Sequence, residues 1–261
     1  MRVSRPEPRI WMSMAAIALC FSVPLVVTTW YFVGEKQLSI DFANQELRGD
    51  AYLRPASRLL VHVELHRSAL LSEDPGQVKR VEALIDDDLR ALLAVDDDLS
   101  DELTTTNAAL SERGRGSAAP RRLQASWESV KLADSGALSA EVHERLILNI
   151  RALILHIGDS SNLILDPDLD TYYLMDALLL KEPEIIDRLT ALDVASTAGA
   201  NEAALAVPAA LLRAQIDGLV IDLDTAFAET PRFNESDELE PTLRPLLTQA
   251  VDATERVLDL S

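Results

Sequence analysis

Apolar positions recur along this chain in two modes. From Ile10 to Val33 they run on without a single charge. From Glu35 to about Ser72 they return in alternating steps of four and three: Leu38, Phe42, Gln45, Gly49, Tyr52, Ala56, Leu59, Val63, His66, Leu70. That spacing is one face of a helix, a bundle seam. Gly49 and Ala56 leave room for a partner helix to come close, and Pro55 is expected to bend this helix. No breaker separates the seam from the apolar run, so the two are expected to form one long helix.

Glu73-Asp74-Pro75-Gly76 reads as a turn. A second helix follows, with Val78, Val81, Ile85, Leu89, Leu92, Val95, Leu99 and Leu103 on one face. The stretch Gly114 to Pro120 interrupts it, and Leu123, Trp127 and Val130 resume the helical spacing. After a break at Asp134-Ser135-Gly136, Ser139 is placed to cap a third helix that is expected to reach about Leu165. Asp166 then reads as an N-cap and Pro167 as a first helical residue, with Asp168 and Asp170 complementing the helix dipole. This fourth helix should pass a kink at Pro183 and end near Gly199. A fifth spans Asn201 to about Ala228, Pro231 to Pro241 forms a loop, and Thr242 to Ser261 is helical again. The pattern predicts an all-α protein: an elongated antiparallel bundle, four-helix-bundle-like, with additional C-terminal helices.

Only then does composition add something. Nine glycines and 5% aromatics leave no Gly-bounded β-branched runs that would make strands. The Ile10–Val33 run as a helix reaches roughly 36 Å, enough for a hydrocarbon core of about 30 Å. Trp11 stands at one end, with Trp30 and Tyr31 at the other, where interfacial aromatics belong. Arg2, Arg5 and Arg9 against Glu7 place residues 1–9 in the cytoplasm, 10–33 in a membrane and 34–261 outside. The competing reading is a cleaved signal peptide, but the run is too long and TTWYFVGEKQ is a poor cleavage site. No second apolar run of membrane length is evident, and the chain stops in mid-pattern, so a truncated receptor is expected. Without its first nine residues the chain holds 21 basic and 42 acidic residues, about −21, a surface that repels nucleic acid. The single cysteine, Cys20, lies in the apolar run, which excludes disulfides outside it.

Candidate chemistry is sparse. Asp166, Asp168 and Asp170 alternate as in a calcium loop, but Thr171 and Ala177 stand where Gly and Glu are needed, so a helix start explains them better. Asp86 to Asp88 and Asp96 to Asp98 are two acidic triplets whose carboxylates spread round a helix; a solvated face is the favoured reading. Arg54, Arg58, His62 and His66 form an i, i+4 row that can receive a carboxylate ligand, pair with a neighbouring helix or stay solvated. His156, Asp159, Asn162 and Asp166, with Tyr172 and Tyr173 one turn into the next helix, read first as a clamp on the helix junction and second as a small pocket. No nucleophile–base pair, zinc spacing or nucleotide-binding glycine pattern occurs, so no catalytic residue, metal or cofactor is expected.

The segment IGDSSNLILDPDLDTYYLMD, Ile157 to Asp176, resembles the extracytoplasmic sensory region of bacterial transmembrane receptors, and ELRGDAYLRPASRLLVHVELHR, Glu46 to Arg67, looks like its first-helix counterpart. These are methyl-accepting chemotaxis proteins and relatives whose output is a histidine kinase or a diguanylate cyclase. The resemblance implies a homodimer in the inner membrane, a periplasmic bundle that takes a small-molecule ligand, and a second membrane helix, HAMP linker and output module that this sequence lacks. It transfers no ligand-binding residue. Against it stands an anchored bundle that serves as a structural or protein-interaction module.

Overall fold

The computed structural model describes residues 8–71, 74–133, 137–165, 168–233 and 238–260. Every regular element among them is helical, so the all-α expectation holds. The chain divides into two compact units, Met1–Gln45 and Glu46–Ser261.

Helix α1, Pro8–Ala69, begins in the first unit and is unbroken at Pro24 and Pro55. In the first unit its apolar side chains are exposed, Phe21 by 76% and Trp30 by 79%. Mean hydropathy there reaches 2.2 and nothing in that window is buried within the protein. The helix is long and apolar enough to cross a membrane.

In the second unit α1 is joined by α2 (Pro75–Leu99), α3 (Asn107–Glu112), α4 (Pro120–Leu132) and α5 (Ala137–Ser160). Cross-helix pairs fix the register. On α1 and α2, His62 meets Asp88, Tyr52 meets Asp96 at 2.7 Å, and Arg48 meets Glu102 just past α2 at 2.7 Å. As numbers fall on one helix they rise on the other, which is antiparallel packing. Likewise Lys131 and Trp127 of α4 reach Asp86, while Arg121 reaches Asp97. His143 of α5 meets His66, and Ser161 lies against Gly49. With α4 packed on α5, the four helices form an up-down-up-down bundle. Tyr52, Leu59, Val63, Ile85, Leu92, Leu123, Trp127, Ile150 and Ile154 fill its core. Each such side chain contributes roughly 1.5–3 kcal/mol on burial.

Several boundaries differ from the sequence pattern, each for a local reason. The second helix ends at Leu99, before Leu103 and well short of the break expected at Gly114. Thr104 takes φ 53 and turns the chain, yet Leu103 remains fully buried. Asp74 caps that helix, accepting from the Gly76 N–H at 2.8 Å, and Pro75 and Gly76, expected in a turn, are its first residues. Ser139 is not the cap of α5, which already begins at Ala137; its carbonyl is occupied by His143 one turn on. That helix stops at Ser160 rather than Leu165 because Asn162 takes φ 66, and a short 3₁₀ turn, Leu163–Leu165, follows.

Asp166 and Pro167, read as cap and first residue, lie outside the described residues. Helix α6, Leu169–Asp176, starts with Asp168 in the cap position, where its side chain makes no capping bond. Asp170 is 1% exposed in the first turn, its carboxylate accepting from the Thr171 N–H at 2.9 Å. In place of a simple kink, a π-helical segment, Ala177–Lys181, precedes Pro183. Proline has no N–H to offer the carbonyl four residues back, and the Glu182 N–H bonds Ala177 instead.

Helix α7, Glu182–Thr197, ends at Gly199 with φ 78. Helix α8, Glu202–Phe233, runs through Pro208 and Pro231, and α9, Leu239–Leu260, takes in Pro241. The expected loop Pro231 to Pro241 is therefore shorter at both ends. Pro241 sits in the first turn of α9, where a missing N–H costs nothing. Helices α7, α8 and α9 share a second core of Ile185, Leu192, Leu205, Leu212 and Ile216.

A second stretch of membrane length does exist, contrary to the sequence reading. Helix α8 is long and apolar enough, with mean hydropathy 1.6. It differs from the apolar run of α1 in carrying Arg213, Asp217 and Asp222 and in supplying Leu205, Leu212 and Ile216 to the second core.

Candidate functional site

The residues singled out in the sequence are distributed over separate contacts. Arg54 is held by Asp50 one turn earlier on α1. Arg58 and His62 both grip Asp88 of α2, which is 5% exposed. The acidic triplets are thus not a plain solvated face. Asp88 pins α1, Asp86 accepts from Trp127 Nε1 at 2.7 Å, and Asp96 accepts from Tyr52 and Thr105 at 2.7 and 2.6 Å. A triplet that spreads round its helix can serve several neighbours at once.

His156 is fully buried, and its Nε2 lies 3.0 Å from the Thr104 carbonyl and 3.2 Å from that of Leu103. Asp159 accepts from Arg115 at 2.7 Å. Asn162 supplies the left-handed turn after α5. Tyr172 and Tyr173 pack edge to face with centroids 5.4 Å apart. None of these residues lines the cavity described next.

Where α1 and α4 end and α2 and α5 begin, the helices leave a cavity of about 470 Å³. Its size falls within the range of about 300–1,000 Å³ usual for small-molecule sites. His66, Arg67, Leu70 and Leu71 face it from α1 and the turn after it, and Glu82 from α2. Val130 and Lys131 contribute from α4, Ala140 and His143 from α5, and Val194 from α7.

The histidines form a relay with fixed tautomers. His143 Nδ1 donates to the Ser139 carbonyl at 2.7 Å, so its Nε2 is an acceptor. His66 Nδ1 donates to that Nε2 at 2.8 Å, which leaves His66 Nε2 as a bare lone pair. That atom is buried without a hydrogen-bond partner among the described residues. Glu82 Oε1 lies 3.9 Å from it, too far for a direct bond. Burial, helped by His143, pulls the His66 pKa down to about 4, and burial lowers His143 against its bond to Ser139. Both are neutral at pH 7. His66 also stands edge-on to Trp127, with centroids 4.9 Å apart.

Two cations border the cavity, and each already has carboxylate partners. Arg67 Nη1 lies 3.6 Å from Glu64 and 3.8 Å from Asp187. Lys131 is bound by Glu128 at 2.9 Å and Asp86 at 3.3 Å, over the Trp127 ring. Glu64 itself is 1% exposed, and burial together with Asp187 pushes its pKa up to about 7. Among the described residues no group of three or more His, Cys, Asp or Glu is placed to hold a metal ion.

Of this site the sequence marked only His66, as a seam histidine. His143, Glu82, Arg67 and Lys131 lie on other helices or off the basic row, and only the bundle register brings them together. The one signal available beforehand was a histidine at an otherwise apolar seam position on each of α1 and α5. No protein-family model, curated protein or solved structure matches this chain.

Proposed function

We propose that this chain is the sensory region of a bacterial transmembrane receptor of the methyl-accepting chemotaxis type, with the 470 Å³ cavity as its input site. Residues 1–9 are cytoplasmic, the apolar run 10–33 crosses the inner membrane, and 34–261 face the periplasm. The protein works as a homodimer and catalyses nothing itself. It passes ligand occupancy inward as a displacement of α1 to an output module, of which histidine kinases and diguanylate cyclases are the other candidates.

The supporting observation is that a single helix carries both functions. Helix α1 bears the apolar run and also supplies His66 and Arg67 to the cavity. A ligand that prefers one setting of α1 over another by a few kcal/mol is sufficient to shift the population.

The test uses the full chain in lipid nanodiscs. A bound solute at a hundred times its Kd stabilises by about 2.7 kcal/mol, and for a unit of this size raises the thermal midpoint by roughly 5–10 °C. Spin labels at Gln37 and Gln77 should change separation on binding. If no small solute stabilises the protein, or if stabilising solutes leave the label distance unchanged, the sensory reading falls. The exposed Val207, Leu211 and Ile221 on α8 favour a second reading, an anchored module that docks a partner protein. It predicts that charged substitutions at these three positions abolish partner capture and that solutes have no effect.

A further inference from the structure

We propose that the cavity beside His66 takes an organic ammonium with a compact apolar body, its N–H groups bridging His66 Nε2 and Glu82 Oε1. This builds on the cavity being the receptor's input site and names what enters it. Among the described residues the cavity presents one acceptor that lacks a donor. His66 Nε2 is locked as a lone pair by the relay through His143 to the Ser139 carbonyl, and no described residue partners it. Glu82 Oε1 lies 3.9 Å away, on a side chain one third exposed and free to swing. With Glu82 swung aside, a group set between the two acceptors must donate twice to satisfy both.

That requirement sorts the ligand classes. A carboxylate brings no donor to His66 and is repelled by Glu82. The two cations that would welcome it, Arg67 and Lys131, are already held by Glu64 and Asp187, and by Glu128 and Asp86. A neutral alcohol has a single O–H and satisfies one acceptor. A water molecule donates twice but leaves Leu70, Leu71, Val130 and Val194 facing solvent. A primary ammonium donates twice, neutralises Glu82 and covers those apolar walls with its hydrocarbon. The acidic surface, about −21 beyond the first nine residues, also draws cations toward the site. With His66 neutral at pH 7, no charge on the imidazole opposes an incoming cation.

The experiment is titration calorimetry of the full chain in nanodiscs at pH 7.5 with matched probes. These are butylamine, butan-1-ol and butyrate, and 2-phenylethylamine, 2-phenylethanol and 3-phenylpropanoate. The amines should bind more tightly than the alcohols and carboxylates of the same skeleton by about tenfold or more. Glu82→Gln, at a partly exposed position that keeps its shape, should weaken the amines by about tenfold and leave the alcohols unchanged. Carboxylates or alcohols that bind as well as the amines overturn the ammonium assignment while leaving the input site standing. Amine affinity unaffected by Glu82→Gln overturns it too. If no probe of either set binds to a protein whose helical spectrum is intact, both the assignment and the input-site reading fall.

Discussion

Tyr52 donates its hydroxyl to Asp96 Oδ1 across 2.7 Å, joining α1 to the last turn of α2 at a position where the tyrosine is fully buried. Burial drives the Tyr52 pKa well above its ordinary value, so the phenol keeps its proton throughout. Tyr52→Phe keeps the packing and removes one donor. Asp96 retains Thr105, so the expected loss is about 1–2 kcal/mol in chemical denaturation. A neutral substitution would show that Thr105 alone satisfies this carboxylate.

Glu64 and His66 impose opposite pH dependences. Folded Glu64 holds its proton up to about pH 7, against an ordinary 4.5, because burial and Asp187 outweigh Arg67. Between these values the unfolded chain has lost a proton that the folded chain keeps, so stability falls as pH rises from 4.5 to 7. The loss is about 3 kcal/mol. Folded His66 titrates at about 4 against an ordinary 6.5. The unfolded chain therefore takes up a proton below 6.5 that the folded one refuses, and stability falls as pH drops from 6.5 toward 4. Glu64→Gln should stabilise the protein at pH 8 by about 2 kcal/mol and expose the histidine-driven acid loss unopposed. Denaturation midpoints from pH 4 to 8 check this; a variant with the parent's profile would contradict it.

Gly49 and Gly34 lie on the same helix with different surroundings. A Cβ at Gly49 would stand 2.3 Å from Ser161 Cβ, whereas at Gly34 nothing among the described residues lies within 4 Å. Gly49→Ala should destabilise by about 1–3 kcal/mol, since the turn after α5 has to shift. Gly34→Ala should be neutral or slightly stabilising through helix propensity. Equal effects in thermal unfolding would mean that α1 and the turn after α5 do not approach this closely.

Lys181 closes the π-helical segment between two acids, 2.6 Å from Asp176 and in contact with Asp222 of α8. Gly218 leaves it room, since a Cβ there would meet Lys181 Cε at 2.9 Å. Lys181→Met leaves two carboxylates facing each other, Asp222 being already raised by its burial. The expected cost is about 2 kcal/mol at pH 7, shrinking as pH falls and one acid takes a proton. A cost that does not change with pH would show that the acids separate once the lysine is gone.

The helices were legible because their cause is local. The four–three recurrence of Leu59, Val63 and Leu70 and the Gly199 stop are written within a few residues of where they act. One reading failed where the deciding partner was remote. Asp86, Asp88 and Asp96 look solvated until α1 and α4 bring Trp127, His62 and Tyr52 against them. For the basic row, pairing with a neighbouring helix is one of three open readings; Arg58 and His62 take it with Asp88, while Arg54 is held by Asp50 one turn away.

The sequence by itself determined that the chain is helical, that one stretch is apolar enough to cross a membrane, and that the seam of α1 seeks partners. Periodicity and run length act through hydrogen bonds and burial within a single element, and need no knowledge of the rest. Only the tertiary structure decided which histidine matters. His66 becomes a lone pair held at a cavity because antiparallel packing sets His143 at 2.8 Å and Glu82 at 3.9 Å. Those positions lie 77 and 16 residues away along the chain, and no local rule connects them.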